Sequence, residues 1–482
     1  MRSPVQSRVS LQFQKTSYRG LFLCVVGVNC AYNMNHDNID FNKTDVGTLF
    51  KKMFIPTFIG MICLSVMTTI DGAFVGQGIG SDALAAVNIF CPLWMLVSGI
   101  GLMLGIGCSV VASIHFSRGN TKAANINLSQ AIFFGILISS VLVTLVNIFD
   151  VETARLLGAS DQLLPYVLDY QKWMSFGFIA IFITCAGQLI IRLDGSPKYA
   201  MLSSSLPSII NVILDYVFLF ILDMGLEGIS IATMIGCWSG AILDISYFIF
   251  FRKKIRIYCI KINLRSIKYS LKSICYQSRI GVAALLGDLC IGILMFIGNY
   301  AFLKYLGEDG VAAFSVACYI FPFVFMTGSA IAQSAQPIIS FNYGINHYKR
   351  ISSTLKLMIK TSVILGIIIT LLLLIFNKSI ISFFLSPDCN AYQLAIKGMP
   401  YVSIGFIPYI LNIAFIGYYQ SIERAYSATL FSLLRSCIAL IPCFLLLPKL
   451  TGEVGIWIAM PLTEIITLVV IYFHKKEIKP IY

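Results

Sequence analysis

Charge is scarce in this chain. Asp, Glu, Lys and Arg make up 12% of its 482 residues and hydrophobic types make up 58%, whereas soluble domains carry about 25% charged residues. An ordinary soluble domain is excluded, and a polytopic membrane protein is expected. Histidine is scarce too. The four histidines, His36, His115, His347 and His474, are scattered, so a histidine-ligated metal is not expected. Fourteen cysteines are present, mostly inside apolar runs, with only Cys389 in an outward loop, and none forms a C-x-x-C pair. Neither disulfides nor a metal centre is read from them. Strand-like alternation is absent and the apolar runs are too long for barrel strands, which leaves an all-α protein.

What is present is a series of twelve apolar runs, over 53–75, 85–113, 124–149, 170–191, 199–222, 226–251, 280–303, 310–341, 355–376, 399–420, 426–447 and 454–473. They are numbered spans one to twelve. Several exceed the roughly 20 residues needed to cross a bilayer, so tilt or extension beyond it is expected. Basic residues are unevenly placed: nine Lys/Arg and no acid fall between Arg252 and Arg279. Loops on that side sum to about 20 Lys/Arg against about 6 on the other, so the basic side and both termini are expected to be cytoplasmic. The net charge of +13 is therefore assigned to a solvated linker facing lipid headgroups, not to nucleic acid.

Ahead of the first span, Arg2, Arg8, Lys15 and Arg19 precede a short apolar stretch, Leu21–Val28. It is too short to cross and has no convincing cleavage site. The text from Met34 onward reads as an ordinary lead-in to the first span, so residues 1–33 are expected to be a start-site artefact and Met34 the true start.

An internal repeat organises the rest. Gly80-Ser81-Asp82-Ala83-Leu84-Ala85-Ala86 aligns with Gly307-Glu308-Asp309-Gly310-Val311-Ala312-Ala313, a shift of 227 in the numbering. The same shift aligns Glu227-Gly228-Ile229 through Ala232 with Val454-Gly455-Ile456 through Ala459. A unit with an even number of spans repeats in the same orientation, so the expected fold is two six-helix bundles related by a pseudo-twofold axis along the membrane normal. The expected division is a cytoplasmic tail over 1–47, a first lobe over 48–251, a basic linker over 252–279, a second lobe over 280–474 and a tail over 475–482. Two bundles with a cleft between them suit alternating access better than a pore.

Within the fifth span, the run IINVILDYVFLF places Asn211 and Asp215 four residues apart, one turn from each other on one helix face. An acid at the centre of a membrane helix costs about 2.5–3.5 kcal/mol on insertion scales. A neighbouring amide can donate to the charged carboxylate or accept from the protonated acid, which points to a proton or ion site. With a helical rise of about 1.5 Å per residue, Asp215, Thr233 and Asp71 all fall in the outer half of the membrane, at levels that could converge. None has a counterpart in the second half, because the repeat shift lands on Gly298, Pro442 and Met460. The plainer readings stay open: an interfacial Asp71, an Asp215 facing a hydrated cleft without a role, and a Thr233 bonded to its own helix. Pro56 is either a kink fifteen residues before Asp71 or a helix-start proline. Gln188, Asp288, Gln333 and Gln336 are candidates for lining the cleft, with Asp288 also a candidate ion ligand of the second lobe. Arg435 and Glu464 are expected as a structural pair, and Asp244 is expected to snorkel to the cytoplasmic surface.

Longer stretches carry a resemblance. TTIDGAFVGQGIGSDALAAVNI, LIIRLDGSPKYAM, IINVILDYVFLF, AQSAQPIISFNYG and GYYQSIERAYSATLFSLLR are similar to segments of the multidrug and toxic compound extrusion (MATE) transporters, in order, across about residues 48–474. The closer likeness is to the bacterial branch that keeps its acids in the N-terminal lobe. The resemblance implies a V-shaped pair of lobes exporting organic, lipophilic cationic compounds in exchange for H⁺ or Na⁺. It also implies a coupling-cation site at Asp71, Asn211, Asp215 and Thr233, with Pro56 as the bending proline. Gln188 departs from an asparagine common in the family's fourth helix. Asp288 is only a loose counterpart of the seventh-helix acid of another branch, so the resemblance does not choose between proton and sodium.

The resulting expectation is a cation-coupled antiporter, not an enzyme, with no cofactor. Na⁺ is a candidate metal at the four site residues. Small organic substrates and the lipid bilayer are the expected partners, the protein is expected to be a monomer, and the location is the bacterial inner membrane. The rivals are a flippase of lipid-linked oligosaccharide, which would favour a cationic cleft for pyrophosphate, and a membrane-embedded enzyme. Against the enzyme, no H-E-x-x-H motif is present and the scattered histidines offer no evident base.

Overall fold

The computed structural model describes residues 39–258 and 263–477. The expected start at Met34 and the segment 1–33 lie outside the described residues. All twelve apolar runs become helix, and the helices extend past them at the charged ends. The first span is the clearest case: it runs Val46–Gly78, because Asp45 accepts from the Thr48 N–H at 3.0 Å and caps it. Lys51 and Lys52 had ended the apolar run in the sequence without ending the helix. Pro56 is therefore well inside the helix, and the helix-start reading is corrected. A proline there leaves the carbonyl of Lys52 without its helical donor.

Among the described residues, nine helices are long and apolar enough to cross a membrane, and two bent pairs bring the number to eleven. One of the nine is an 81-residue helix, Leu264–Gly344, broken at Gly307 by φ 68°, ψ −160°. At the α-helical rise that length is about 120 Å, far more than one bilayer, so it supplies two crossings and the total is twelve. The bent pairs are the fourth span, Leu164–Met174 with Gly177–Leu193 at 54°, and the tenth, Asn390–Ile404 with Phe406–Ser421 at 40°. The chain is an all-α polytopic membrane protein.

Backbone geometry follows the repeat. Gly80 and its repeat partner Gly307 both take positive φ, 129° and 68°, where spans one and two, and seven and eight, turn back. Gly225 and Gly452, related by the same shift, take φ 59° and 65° ahead of spans six and twelve. Side chains with a Cβ rarely adopt such angles, so the turns that set the helix order are specified by glycine at matching positions. Exposed apolar stripes complete the membrane picture. Leu137, Val141, Leu145 and Ile148 on span three, and Ile364, Ile368, Leu371 and Ile375 on span nine, are all exposed, a surface suited to lipid and not to water.

Packing divides between the halves. One large buried cluster is made almost wholly of residues from 283 onward, and only Phe41, Leu49, Phe50 and Met53 join it from the start of the chain. Two smaller clusters belong to the first half. Where the halves meet, Ile106, Val110, Val111, Ile114 and Leu189 pack against Ile280 and Ala425. Backbones nearly touch in this seam: a Cβ at Gly107 would collide with the Gln277 carbonyl, and one at Gly281 with the Met103 carbonyl. Arg118 donates to the Gly344 carbonyl at 3.1 Å, and Ser109 donates to Gln336 at 3.1 Å. The seam thus lies toward the basic ends of the helices. Toward the other ends, Phe296, Tyr300 and Leu303 of span seven are exposed.

Arg435 and Glu464 form the expected pair, with Nη2–Oε1 2.8 Å and side chains only 1% and 3% exposed. Asn412 donates to the second Glu464 oxygen at 2.7 Å, and the guanidinium lies 4.3 Å from the centre of the Tyr409 ring. Arg435 sits in a wide turn, Leu434–Ile438, of the kind that recurs where a helix must re-aim a side chain. Removing one member of such a buried pair strands the other charge. Glu464→Ala is expected to destabilise the protein by about 3–5 kcal/mol, read as a lower unfolding temperature of the purified protein in detergent.

Candidate functional site

The site is built on span five, Pro197–Tyr216. Asn211 and Asp215 are 1% and 0% exposed, so both face protein. The Asn211 amide donates twice, to Asp215 Oδ1 at 3.3 Å and to Thr233 Oγ1 at 3.2 Å. The Thr233 hydroxyl donates to its own helix at the Ile229 carbonyl, 3.0 Å, so its lone pair is free to accept from Asn211. Thr233 thus makes its local helix bond and also accepts from Asn211. Span six comes this close to span five because Gly236, one turn after Thr233, has no side chain. A Cβ there would stand 3.0 Å from Asn211 Cβ and 3.2 Å from the Pro207 carbonyl.

The half-buried Asp71 of span one completes the group. Its carboxyl lies close enough to that of Asp215 for the two acids to interact, and a hydrogen bond between them requires one of the two to carry a proton. Just beyond, Phe74 packs edge-on against Phe220 with ring centres 5.4 Å apart. That contact ties span one to the wide turn Val217–Ile221 at the end of span five. Three buried oxygens in this group, Asp71 Oδ1, Asp215 Oδ2 and Asn211 Oδ1, have no hydrogen-bond partner. Oxygen acceptors without donors suit a proton or a hard cation. Among the described residues no group of three or more His, Cys, Asp or Glu could hold a metal ion, so a cation here would rest on carboxyl, amide and hydroxyl oxygens together.

Tyr170, 5% exposed, lies within electrostatic range of both Asp71 and Asp215. Its ring is held edge-on by Phe90, centre to centre 5.5 Å. Sequence reasoning missed it. It sits before the bend of span four, where nothing in the sequence distinguishes it from the chain's other tyrosines.

The remaining candidates lie elsewhere. Asp288 accepts from Ser98 at 2.9 Å across the seam. Gln333 and Gln336, 8% and 3% exposed, are also in the seam, and Gln188 accepts from Arg192 at 3.2 Å. The structure brings together Asp71, Asn211, Asp215 and Thr233, and none of these four others joins them. Asp244, expected to snorkel, is 0% exposed. That expectation is corrected: Gly187 leaves a gap on span four that the carboxylate fills, so it never reaches the surface.

A sequence profile of the family described as MatE matches residues 56–217 and again 284–445, so the chain carries two copies of it, one in each half. An "FAD transporter" of Shewanella oneidensis is 23% identical over 443 residues, covering 90% of this chain and 95% of that protein. The "Multidrug export protein MepA" of Staphylococcus saprophyticus is 22% identical over 445 residues, covering 91% and 96%. Among solved structures, a crystal structure of MATE in complex with MaL6 superposes with a TM-score of 0.83 at 19% identity, covering 92% and 98%. A MOP superfamily transporter from Pyrococcus furiosus, described for the reverse polarity of its binding pocket, gives 0.81 at 20% identity, covering 91% and 96%. At these identities the structural likeness establishes the fold.

Gly236→Leu is expected to force spans five and six apart and to lower stability by about 1–3 kcal/mol, with Gly236→Ala costing less. Thermal unfolding of the two purified variants in detergent checks the order.

Proposed function

The chain belongs to the MatE family and is a membrane efflux transporter, not an enzyme; on that premise we propose that it is a cation-coupled antiporter. It exports organic, lipophilic cationic compounds by alternating access, driven by H⁺ or Na⁺ bound at Asp71, Asn211, Asp215 and Thr233. The observation that supports this reading is the buried group in which Asn211 bonds both Asp215 and Thr233, with Asp71 beside it and three oxygens left unpartnered. Two carboxylates so close cannot both stay charged without a proton or a cation between them. Asn211 supplies the donor that steadies the charged form, and its own unpartnered oxygen can turn to an incoming ion. Occupancy by either ion neutralises the group, which favours a different packing of spans one, five and six and release of substrate. Pro56, about 22 Å along the first span from Asp71, is where that helix can bend.

By the positive-inside rule the seam is on the cytoplasmic side, with both termini, in a bacterial inner membrane. The two halves then stand in a form open to the outside. The first lobe over 48–251 and the second over 280–474 act as the moving units, joined by the basic linker 252–279, in a monomer.

One relative is named for FAD, an anionic nucleotide, and a flippase would likewise handle pyrophosphate. Either cargo calls for guanidinium or ammonium groups, whereas the polar groups gathered at this site are carboxyl, amide, hydroxyl and phenol. Carboxylates favour cationic cargo.

The test is export of ethidium and of norfloxacin from proteoliposomes under separately imposed proton and sodium gradients. The gradient that drives uphill movement names the ion. Asp215→Asn, incorporated to the same level, is expected to lose at least nine-tenths of ion-driven export. Undiminished export by that variant would overturn the proposal.

A further inference from the structure

Arg192 is the largest charged side chain sealed inside the first half, 2% exposed, and it is not part of the site above. It lies near the end of span four, Gly177–Leu193, next to the seam. Its Nη1 donates across the seam to Gln333 Oε1 at 2.6 Å, and its Nη2 donates to Gln188 at 3.2 Å. Its Nε has no partner. Among the described residues no carboxylate lies within ion-pairing distance of it, so this buried cation is held by two neutral amides.

A buried acid without a hydrogen-bond donor sits nearby. Asp244 of span six is 0% exposed, and neither of its carboxylate oxygens has a hydrogen-bond partner. Ser203 is beside it, but the Ser203 hydroxyl donates to the Ala200 carbonyl at 3.1 Å. The carboxylate rests against Gly187, five residues before Arg192 on the same helix. The Arg192 chain runs back over Gln188, one turn before it on the same face, and Gly187, next to Gln188, leaves the gap that Asp244 fills. The guanidinium and this acid are within electrostatic range. A buried guanidinium held only by neutral amides, beside an acid with no donor, is an expensive arrangement unless a second state pairs the two.

We propose that Arg192 is a latch across the seam that exchanges partners: it holds Gln333 while the halves are together at this end, and turns to Asp244 when they part. Both are positioning residues for the conformational step, and neither touches the coupling ion. The exchange keeps the guanidinium partnered in both forms, which lowers the penalty of breaking the seam and so keeps the two forms close in energy. The latch rests on the alternating-access reading above.

Hydrogen–deuterium exchange of the purified full chain tests it, following peptides from the seam (Gly101–Ser117 and Gln333–Gly344) and from the opposite ends of the same helices. The parent is expected to show two exchange patterns, in sodium chloride and with ethidium. Asp244→Asn removes the second partner and is expected to protect the seam. Gln333→Ala removes the first and is expected to deprotect it, while Gln333→Glu adds charge to the first and protects it. Each shift should be on the order of tenfold in the ratio of the two forms, the scale of a hydrogen bond to a charged group. A merely structural role would loosen all three variants alike. Movement of Asp244→Asn and Gln333→Ala in the same direction, or of neither, overturns the latch while leaving the antiporter reading standing. A single pattern for the parent under every condition overturns both. Should Asp244→Asn fail to fold, the opposed pair at Gln333 decides alone.

Discussion

Hydrocarbon offers no hydrogen bonds, and this structure is organised by that constraint. Every backbone group in the twelve crossings must be satisfied within its own helix, and every buried ionisable side chain must find a partner or bind one. The chain meets the backbone demand with helix throughout. It breaks the ladder locally, at Gly307 and Pro56 and at wide turns such as Val217–Ile221 and Leu434–Ile438. It meets the side-chain demand differently in its two halves, and that difference is where its function is to be sought.

The second half closes one buried ion pair internally. Arg435, Glu464 and Asn412 complete one another, and the Tyr409 ring covers the guanidinium. The repeat shift places Glu464 on Cys237, Arg435 on Ser208 and Asn412 on Cys185. Cys237 lies within electrostatic range of Asp71. The corresponding region of the first half therefore lacks the internal pair and holds instead two acids, an amide and a hydroxyl, with oxygens left over. Two copies of one architecture have been filled with opposite solutions, one with its charges paired and one with buried oxygens left unpartnered. In the proposed cycle the second half is the rigid partner and the first half the responsive one.

Much of the fold was legible because long apolar runs and turn glycines are local signals. The twelve crossings, the repeat and the Asn211–Asp215 face follow from spacing alone. Asp71 and Thr233 were reached by counting depth, which works only when helix ends are known to about a turn. What spacing could not give depends on tertiary packing. Asp244 reads as a snorkelling acid because its distance from the helix end permits it; only Gly187, on another helix, explains why it stays inside. The bends of spans four and ten were hidden because the apolar runs continue across them. Gln333 and Gln336 read as cleft-lining residues, since an amide in an apolar helix signals a polar neighbour without saying which. Tyr170 has no sequence signal, since its relation to the two carboxyls is one of tertiary proximity.

The number of acids also has an energetic reason. Driving a two-state equilibrium from one strongly favoured form to the other requires about 5.5 kcal/mol of differential binding. One acid in a membrane helix is worth about 2.5–3.5 kcal/mol on insertion scales, too little alone. Two acids, neutralised together, reach about 5–7 kcal/mol on the same scale, which matches the requirement. A tight seam such as the Gly107–Gly281 crossing makes the opposing term all-or-none, because packed backbones either touch or do not. A single acid against such a seam would leave the halves mostly shut. In the proposed cycle Asp71 and Asp215, acting as one group, would supply a switch of the right size.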